Sequence, residues 1–311
     1  MNYYTFRNFL KKSFPSHSVF KIPVDAGFTC PNRDGSAGAD IGCIYCENRS
    51  FSPNTTTPLL PLRLQIQKGI DFYKTKYNAD KFIVYFQAYS NTYAPADKLK
   101  AIYDTVLEFP DIAGISIGTR PDCVPEKTLD LIESYTDKYQ VWMEYGCQSI
   151  HDSTLRKINR GHSFAEFEDA VRRTKNRNML VCAHVILGLP GETREMMLQT
   201  AQTLADLELD GIKIHHLYVA KNTPLEKLYA EGKIALLSLE DYIDIATEFI
   251  SYLPEKTVVQ RIMGELSGEF LIAPKWEKSK QQILALINQR FEEQHLRQGK
   301  NFIPKAVGIK N

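Results

Sequence analysis

The 311 residues carry 38 Lys and Arg against 37 Asp and Glu, a formal net charge of +1, with 43% hydrophobic and 24% charged residues. This is the balance of a folded domain able to bury a sizeable core, and it excludes extensive disorder. A near-neutral total neither requires nor excludes a nucleic-acid partner, because a local basic face can hide within it.

The first residues, Met1 to Arg7, lack the basic-then-apolar order of a secretory leader, and no apolar run is long enough to cross a bilayer. The expectation is a cytoplasmic protein with no membrane attachment. Six cysteines in a reducing compartment point to metal binding or free thiols in place of disulfides.

In chain order, residues 19–24 form a short apolar strand that ends at Asp25-Ala26-Gly27. Directly after it, Cys30, Cys43 and Cys46 fall within one loop at the spacing C-x12-C-x2-C. Thiolates are preferred by soft metals, so the trio can hold three corners of an iron-sulfur cube or of a zinc tetrahedron. Structural zinc is normally closed by four protein ligands, whereas a site built for chemistry keeps one position open. His17 is the only nearby histidine and lies well before the loop. Plain buried thiols are the third reading. Cys123, Cys147 and Cys182 stand in or beside predicted strands and read as small buried hydrophobes.

Beyond the loop the chain alternates. Helical periodicity over 62–77 (Leu62, Ile66, Ile70, Tyr73) precedes an apolar strand at 82–86. Helix 96–109, strand 114–117, helix 126–135, strand 141–145, helix 164–175, strand 180–187, helix 194–207 and strand 212–219 follow. Strands apolar on both faces and separated by helices predict an α/β fold with a parallel sheet. Six such units predict a partial (β/α)6 TIM-like barrel over residues 1–220, cluster loop included. Ligands of such folds sit beyond the carboxyl ends of the strands. Over 221–311 the alternation fades into a C-terminal α+β extension packed on the core: helices 223–231 and 239–253, a strand at 258–263 and an amphipathic helix at 276–295. Arg290, Arg297, Lys300, Lys305 and Lys310 make its end either a solvated basic face or an RNA contact.

Strand ends supply the remaining candidates. The second strand runs into Gln87-Ala88-Tyr89-Ser90-Asn91-Thr92, whose polar side chains suit a ligand or a turn. Arg120, closing the third, either holds an anion or pairs with a neighbouring carboxylate. The fourth ends at Gln148, and Arg160 follows twelve residues later. An amide can address two ribose hydroxyls, and a guanidinium is a paired-donor clamp for a carboxylate. The fifth carries His184 and the turn Gly188-Leu189-Pro190. On the sixth, Lys213, His215, His216 and Tyr218 alternate, so that one of each pair faces inward.

The cysteine loop, with Tyr45 before its last cysteine, resembles the radical S-adenosylmethionine (radical SAM) superfamily in a long-spaced form. It departs from the usual C-x3-C-x2-C only at the first interval. Together with segments 26–35, 85–87, 91–95 and 261–265, it makes the chain similar to the YhcC/YtqA family, which itself resembles the catalytic core of the elongator acetyltransferase subunit.

The resemblance implies a [4Fe-4S] cluster on Cys30, Cys43 and Cys46, with S-adenosylmethionine cleaved reductively to a 5'-deoxyadenosyl radical. A low-potential donor such as flavodoxin or ferredoxin would supply the electron. It further implies that Gln148 meets the adenosyl ribose and Arg160 the methionyl carboxylate. Gln87, Ser90 and Asn91 would stand where relatives use a glycine-rich stretch, His184 where they often have Asp, and Gly188 beside the adenine. The implied substrate is the tRNA wobble uridine, whose carboxymethylaminomethyl side chain becomes aminomethyl after the base is extruded, with Arg33, Lys221 and the basic tail as RNA contacts. Two alternatives stay open: radical SAM chemistry on a small metabolite or peptide, and a non-catalytic zinc-bearing RNA-binding protein.

Overall fold

The computed structural model describes residues 2–36, 42–50, 52, 54–55, 58–264, 266 and 268–304. Glu265, Lys305 and Lys310, singled out above, lie outside the described residues.

Among the described residues the nine strands are β1 (Val19–Val24), β2 (Lys81–Phe86), β3 (Ile112–Thr119), β4 (Gln140–Gln148), β5 (Leu180–Leu187), β6 (Gly211–His216), β7 (Val219–Ala220), β8 (Val258–Arg261) and β9 (Leu271–Ala273). Seven of them form one parallel sheet, curled into a half-barrel, in the order β1-β2-β3-β4-β5-β6-β8, while β7 and β9 pair as a small antiparallel ribbon. The expected partial barrel therefore forms, and the strand expected at 258–263 joins its edge as a seventh member. Ten helices accompany the strands: α1 (Phe6–Ser13), α2 (Leu62–Tyr77), α3 (Ala96–Asp104), α4 (Glu126–Glu133), α5 (Asp152–Lys157), α6 (Phe164–Lys175), α7 (Arg194–Asp206), α8 (Pro224–Ala230), α9 (Leu239–Ser251) and α10 (Lys280–Glu293). Among the described residues no helix is long and apolar enough to cross a membrane.

Period-two alternation divides the sheet into two faces. The outer face carries Ile22, Val24, Phe82, Val84, Phe86, Ile115, Ile117, Val141, Met143 and Tyr145, packed with Leu99, Tyr103, Leu129 and Phe167 from the helices into the main apolar core. Alternate positions, including Lys21, Tyr85, Ser116, Trp142, Glu144, His184 and Lys213, turn inward. The interior is thus polar in its middle.

Its lower end is stoppered by aromatic rings. Phe6 and Phe9 of α1 meet Trp142 edge-on at ring-centroid distances of 6.2 and 5.3 Å, with Cys182 and Val258 completing the cluster. Above this stopper, the Lys21 amine reaches Glu144 at 2.6 Å and Gln260 at 2.8 Å. One side chain from the first strand therefore ties together the two open edges of the half-barrel.

The N-terminal segment covers the free edge of β8: Val259 N–H donates to Tyr4 O at 2.8 Å, and Tyr4 N–H donates to the Gln298 side chain at 2.8 Å. Because Trp142 is fully buried, Trp142→Ala is expected to cost about 3–5 kcal/mol, read as a lower urea midpoint. An unchanged midpoint would show that the stopper contributes nothing.

Candidate active site

The cysteine loop is fastened to the turn after α5 by a reciprocal set of bonds. The Asn32 amide donates to Asn159 O (2.7 Å) and Arg160 O (2.9 Å), while the Asn159 amide donates back to Gly42 O (2.8 Å). Ile44 N–H donates to Ile158 O at 3.1 Å, and the Arg33 guanidinium donates to Cys46 O. Gly161 has φ +77°, and a Cβ there would collide with Asn32 and press on Arg120, so only glycine allows the turn to approach the loop this closely.

All three thiols are free and line one cavity beyond the carboxyl ends of the strands. Its empty space, counted out to open solvent, is about 1220 Å3. The Arg160 guanidinium, buried, donates to Gly146 O at 2.8 Å and points toward Cys43 Sγ at 3.7 Å. Asn32 and Asn48 amides approach Cys43 Sγ (3.6 Å) and Cys46 Sγ (3.5 Å). Gln148 lies at φ +69°, beside a register shift in the pairing of β4 with β5, so the bulge re-aims its amide at the cavity.

Burial, reinforced by the neighbouring Cys43, pushes the Cys46 thiol up to about 11 despite Arg33. The Cys46 thiol therefore ionises more readily when a cationic group binds beside it. Among the described residues no three of His, Cys, Asp or Glu converge on a single ion. A cubane asks less, since each thiolate takes a different iron.

Comparison with known proteins decides what kind of site this is. The sequence pattern of the radical SAM superfamily matches residues 35–204, and that of the radical SAM C-terminal domain matches 209–293. YtqA of Bacillus subtilis (strain 168) is 38% identical over 303 residues, 96% of this chain and 92% of that protein. The chain belongs to the radical SAM superfamily, in its YhcC/YtqA family. A solved radical SAM structure, that of Elp3 from the archaeon Methanocaldococcus infernus, shares the fold with a TM-score of 0.68 at 19% identity, covering 91% of this chain and 64% of that one. Similarity to the tRNA uridine(34) acetyltransferase of the same archaeon is more distant: 26% over 161 residues, 51% of this chain but only 30% of that protein.

Within this radical SAM cavity the structure brings together Cys30, Cys43, Cys46, Gln87, Ser90, Gln148, Arg160 and His184. Asn91 and Gly188 lie outside its lining. The Asn91 amide is consumed by Phe86 O (3.2 Å) and Gly118 O (2.8 Å), closing the gap where β2 and β3 diverge. Gly188 N–H points at Met197 Sδ (3.0 Å), and a Cβ at this position, φ +83°, would strike Leu237 at 2.9 Å. His17 pairs with Asp80 at 2.6 Å, at the start of β1 and away from the cysteines. Arg120 takes the second of its two readings: it is forked onto Asp122 at 2.9 and 2.6 Å and also holds Asn32 and Gly161 O. Of the candidate RNA contacts, Arg33 is committed to the loop, and Arg290 is paired with Glu240, Asp244 and Glu293.

Sequence reasoning missed the buried carboxylate beneath. Glu144 accepts from Lys21, Lys213, Ser116 and His184, the last at 2.8 Å. Burial alone would raise it, yet Lys21, Lys213 and His184 hold it well below the usual carboxylate range. The available signal was its alternation with Trp142 and Gly146 on one face of β4.

Proposed function

We propose that this radical SAM enzyme carries a [4Fe-4S] cluster on Cys30, Cys43 and Cys46, binds S-adenosylmethionine beside it, and converts the carboxymethylaminomethyl side chain of the tRNA wobble uridine to aminomethyl. The observation that carries the cofactor reading is the buried Arg160 guanidinium, set between the Gly146 carbonyl and the Cys43 sulfur with no carboxylate of its own among the described residues. A group bringing negative charge to that cavity satisfies both.

The cluster and its bound sulfonium would supply reductive carbon-sulfur cleavage and abstraction of one hydrogen atom from the substrate. Arg160 would clamp the methionyl carboxylate, and Gln148, turned inward by the bulge, would accept and donate at the ribose hydroxyls. Gly146 is small because a Cβ would meet the Gln148 amide at 2.6 Å as well as Arg160. The α1 stopper and the ionic layer at Glu144 would keep water from entering below, so that only the upper mouth admits substrate. The wobble base would reach it by leaving its stack.

Support for the substrate comes from the likeness to the archaeal tRNA uridine(34) acetyltransferase. The decisive measurement compares tRNA nucleosides, by mass spectrometry, from a strain lacking this gene and from its parent. Carboxymethylaminomethyluridine is expected to accumulate and the aminomethyl form to fall at least about tenfold. Identical wobble nucleosides in the two strains would remove tRNA as the substrate.

A further inference from the structure

Below the level of Arg160 the cavity is lined by cations that outnumber their carboxylates. Lys21, Lys213 and Arg261 converge on the interior from β1, β6 and β8, and the one carboxylate among them in the described residues, Glu144, is already shared by both lysines, Ser116 and His184. Lys213 and Arg261 are register partners on neighbouring parallel strands, and both line the cavity. The Lys213 amine also lies 4.1 Å from the centre of the Tyr85 ring, which fixes its height in the barrel. Among the described residues the Arg261 guanidinium has neither an ion-pair nor a hydrogen-bond partner.

His215 extends the same surface. Its ring is 6.1 Å from that of His184, and Gly264 leaves it room, since a Cβ there would sit 3.0 Å from His215 Nδ1.

We propose that Arg261, assisted by Lys213 and His215, forms an anion subsite that receives a carboxylate of the substrate. An arginine placed only to seal the barrel edge would be expected to pair with a carboxylate or carbonyl. Among the described residues this one presents five unused donors to a cavity whose other guanidiniums, those of Arg33, Arg120 and Arg160, are engaged around the cysteine loop. Like-charge crowding agrees: burial draws Lys213 down to about 7, with Lys21 and Arg261 acting in the same direction against Glu144. An entering carboxylate relieves that repulsion and occupies the fork of Arg261. Lys213, held to Glu144, steadies the anion through charge. His215, kept neutral by burial and by Arg261, is left with a ring N–H to donate. The proposal rests on the radical SAM reading of the cavity and deepens the substrate assignment without depending on RNA.

The test uses the full chain, reconstituted anaerobically, as wild type, Arg261→Lys, Arg261→Gln and Arg261→Met. Dissociation constants are measured for S-adenosylmethionine, for 5-carboxymethylaminomethyluridine, for 5-aminomethyluridine and for acetate, with circular dichroism to confirm folding. Arg261→Met and Arg261→Gln are expected to weaken carboxymethylaminomethyluridine and acetate about 10- to 100-fold, the worth of one charge-assisted pair. Arg261→Lys should recover part of the loss, and S-adenosylmethionine should change less than about twofold. The aminomethyl nucleoside, lacking the carboxylate, should bind all variants alike. Equal weakening of S-adenosylmethionine would assign Arg261 to the cofactor and overturn the proposal, as would anion affinities indifferent to residue 261. Acetate binding that depends on Arg261, alongside a nucleoside that does not bind even the wild type, would uphold the subsite while removing the wobble-uridine reading.

Discussion

Cys43→Ala is expected to leave the protein almost without iron and sulfide after anaerobic reconstitution, and to reduce S-adenosylmethionine cleavage at least about 100-fold. Cys43 is buried, and its sulfur faces both the Asn32 amide and the Arg160 guanidinium. Structural metal sites with four protein ligands bind with about 10–16 kcal/mol, so each thiolate is worth roughly 3 kcal/mol or more. Removing one of only three also leaves Arg160 facing an apolar methyl. The matched control is Cys147→Ala. That thiol packs in the outer core of the sheet and sits on the opposite face from the cavity, so its iron content should equal that of the wild type. Full iron and sulfide in Cys43→Ala would end the cluster assignment, and stoichiometric zinc in the wild type would do the same.

Acid should unfold this protein early. Four histidines are held in the neutral form, His162 and His216 buried and His184 and His215 half-buried in the cavity wall: burial together with Arg160 draws His162 down to about 3, desolvation and Lys213 draw His184 to about 4, burial alone draws His216 to about 4, and desolvation and Arg261 place His215 well below its ordinary value. In the unfolded chain each titrates near 6.5. Between that value and the folded one, the unfolded state binds more protons, so stability falls as pH falls. At pH 5 His162, His184 and His216 each cost about 2 kcal/mol, from about 1.4 kcal/mol per unit. These three together remove about 6 kcal/mol, on the scale of a whole domain's stability of about 5–15 kcal/mol, and His215 acts in the same direction.

Glu144 and Lys213 are silent in this window, while burial raises Glu192 and Asp210, whose uptake of protons in the folded state offsets part of the loss. Glu144 has a lowered value, so its contribution is complete above about 4.5 and is lost only at lower pH. Lys213 reaches its full penalty by about 7 and changes little below it. Urea midpoints should therefore drop steeply between pH 6.5 and 5, and His216→Phe should flatten the drop by about a quarter. A midpoint constant across that range would contradict the neutral state of these rings.

Much of the cavity could be read from the chain because its parts announce themselves by type. Three thiols in one loop have few structural uses, and Gln148 ends a largely apolar strand, with Arg160 in the turn that follows the next short helix. The outer face of each strand was equally legible, since helices on that side demand Val, Ile and Phe at alternate positions. The inner face was harder. Lys213 was legible as one of an alternating set, but Glu144 was absorbed into a run that looked apolar, and the meaning of the pair appears only when β1, β4, β6 and β8, distant in sequence, meet around one point. Asn91 and Gly188 fall outside the cavity lining for the opposite reason. Both sit at strand ends, where polar and small residues suit a ligand and a backbone junction equally, and here they close the junction. Helix α1 escaped notice because eight residues give too few turns for a periodic signal, and its partner Trp142 lies far along the chain.

The seam at the barrel's lower end also sets the order in which the polypeptide can finish folding. Tyr4 is held by Gln298, 294 positions away, and the Gln298 amide in turn grips Pro254 O and Thr257 O next to β8. During vectorial synthesis β8 emerges last of the seven rungs, so Phe6 and Phe9 meet Trp142 and Cys182 before Val258 arrives. Closing the seam thus waits for β8 and Gln298, and a chain stopped before residue 258 leaves the ring cluster with one side open.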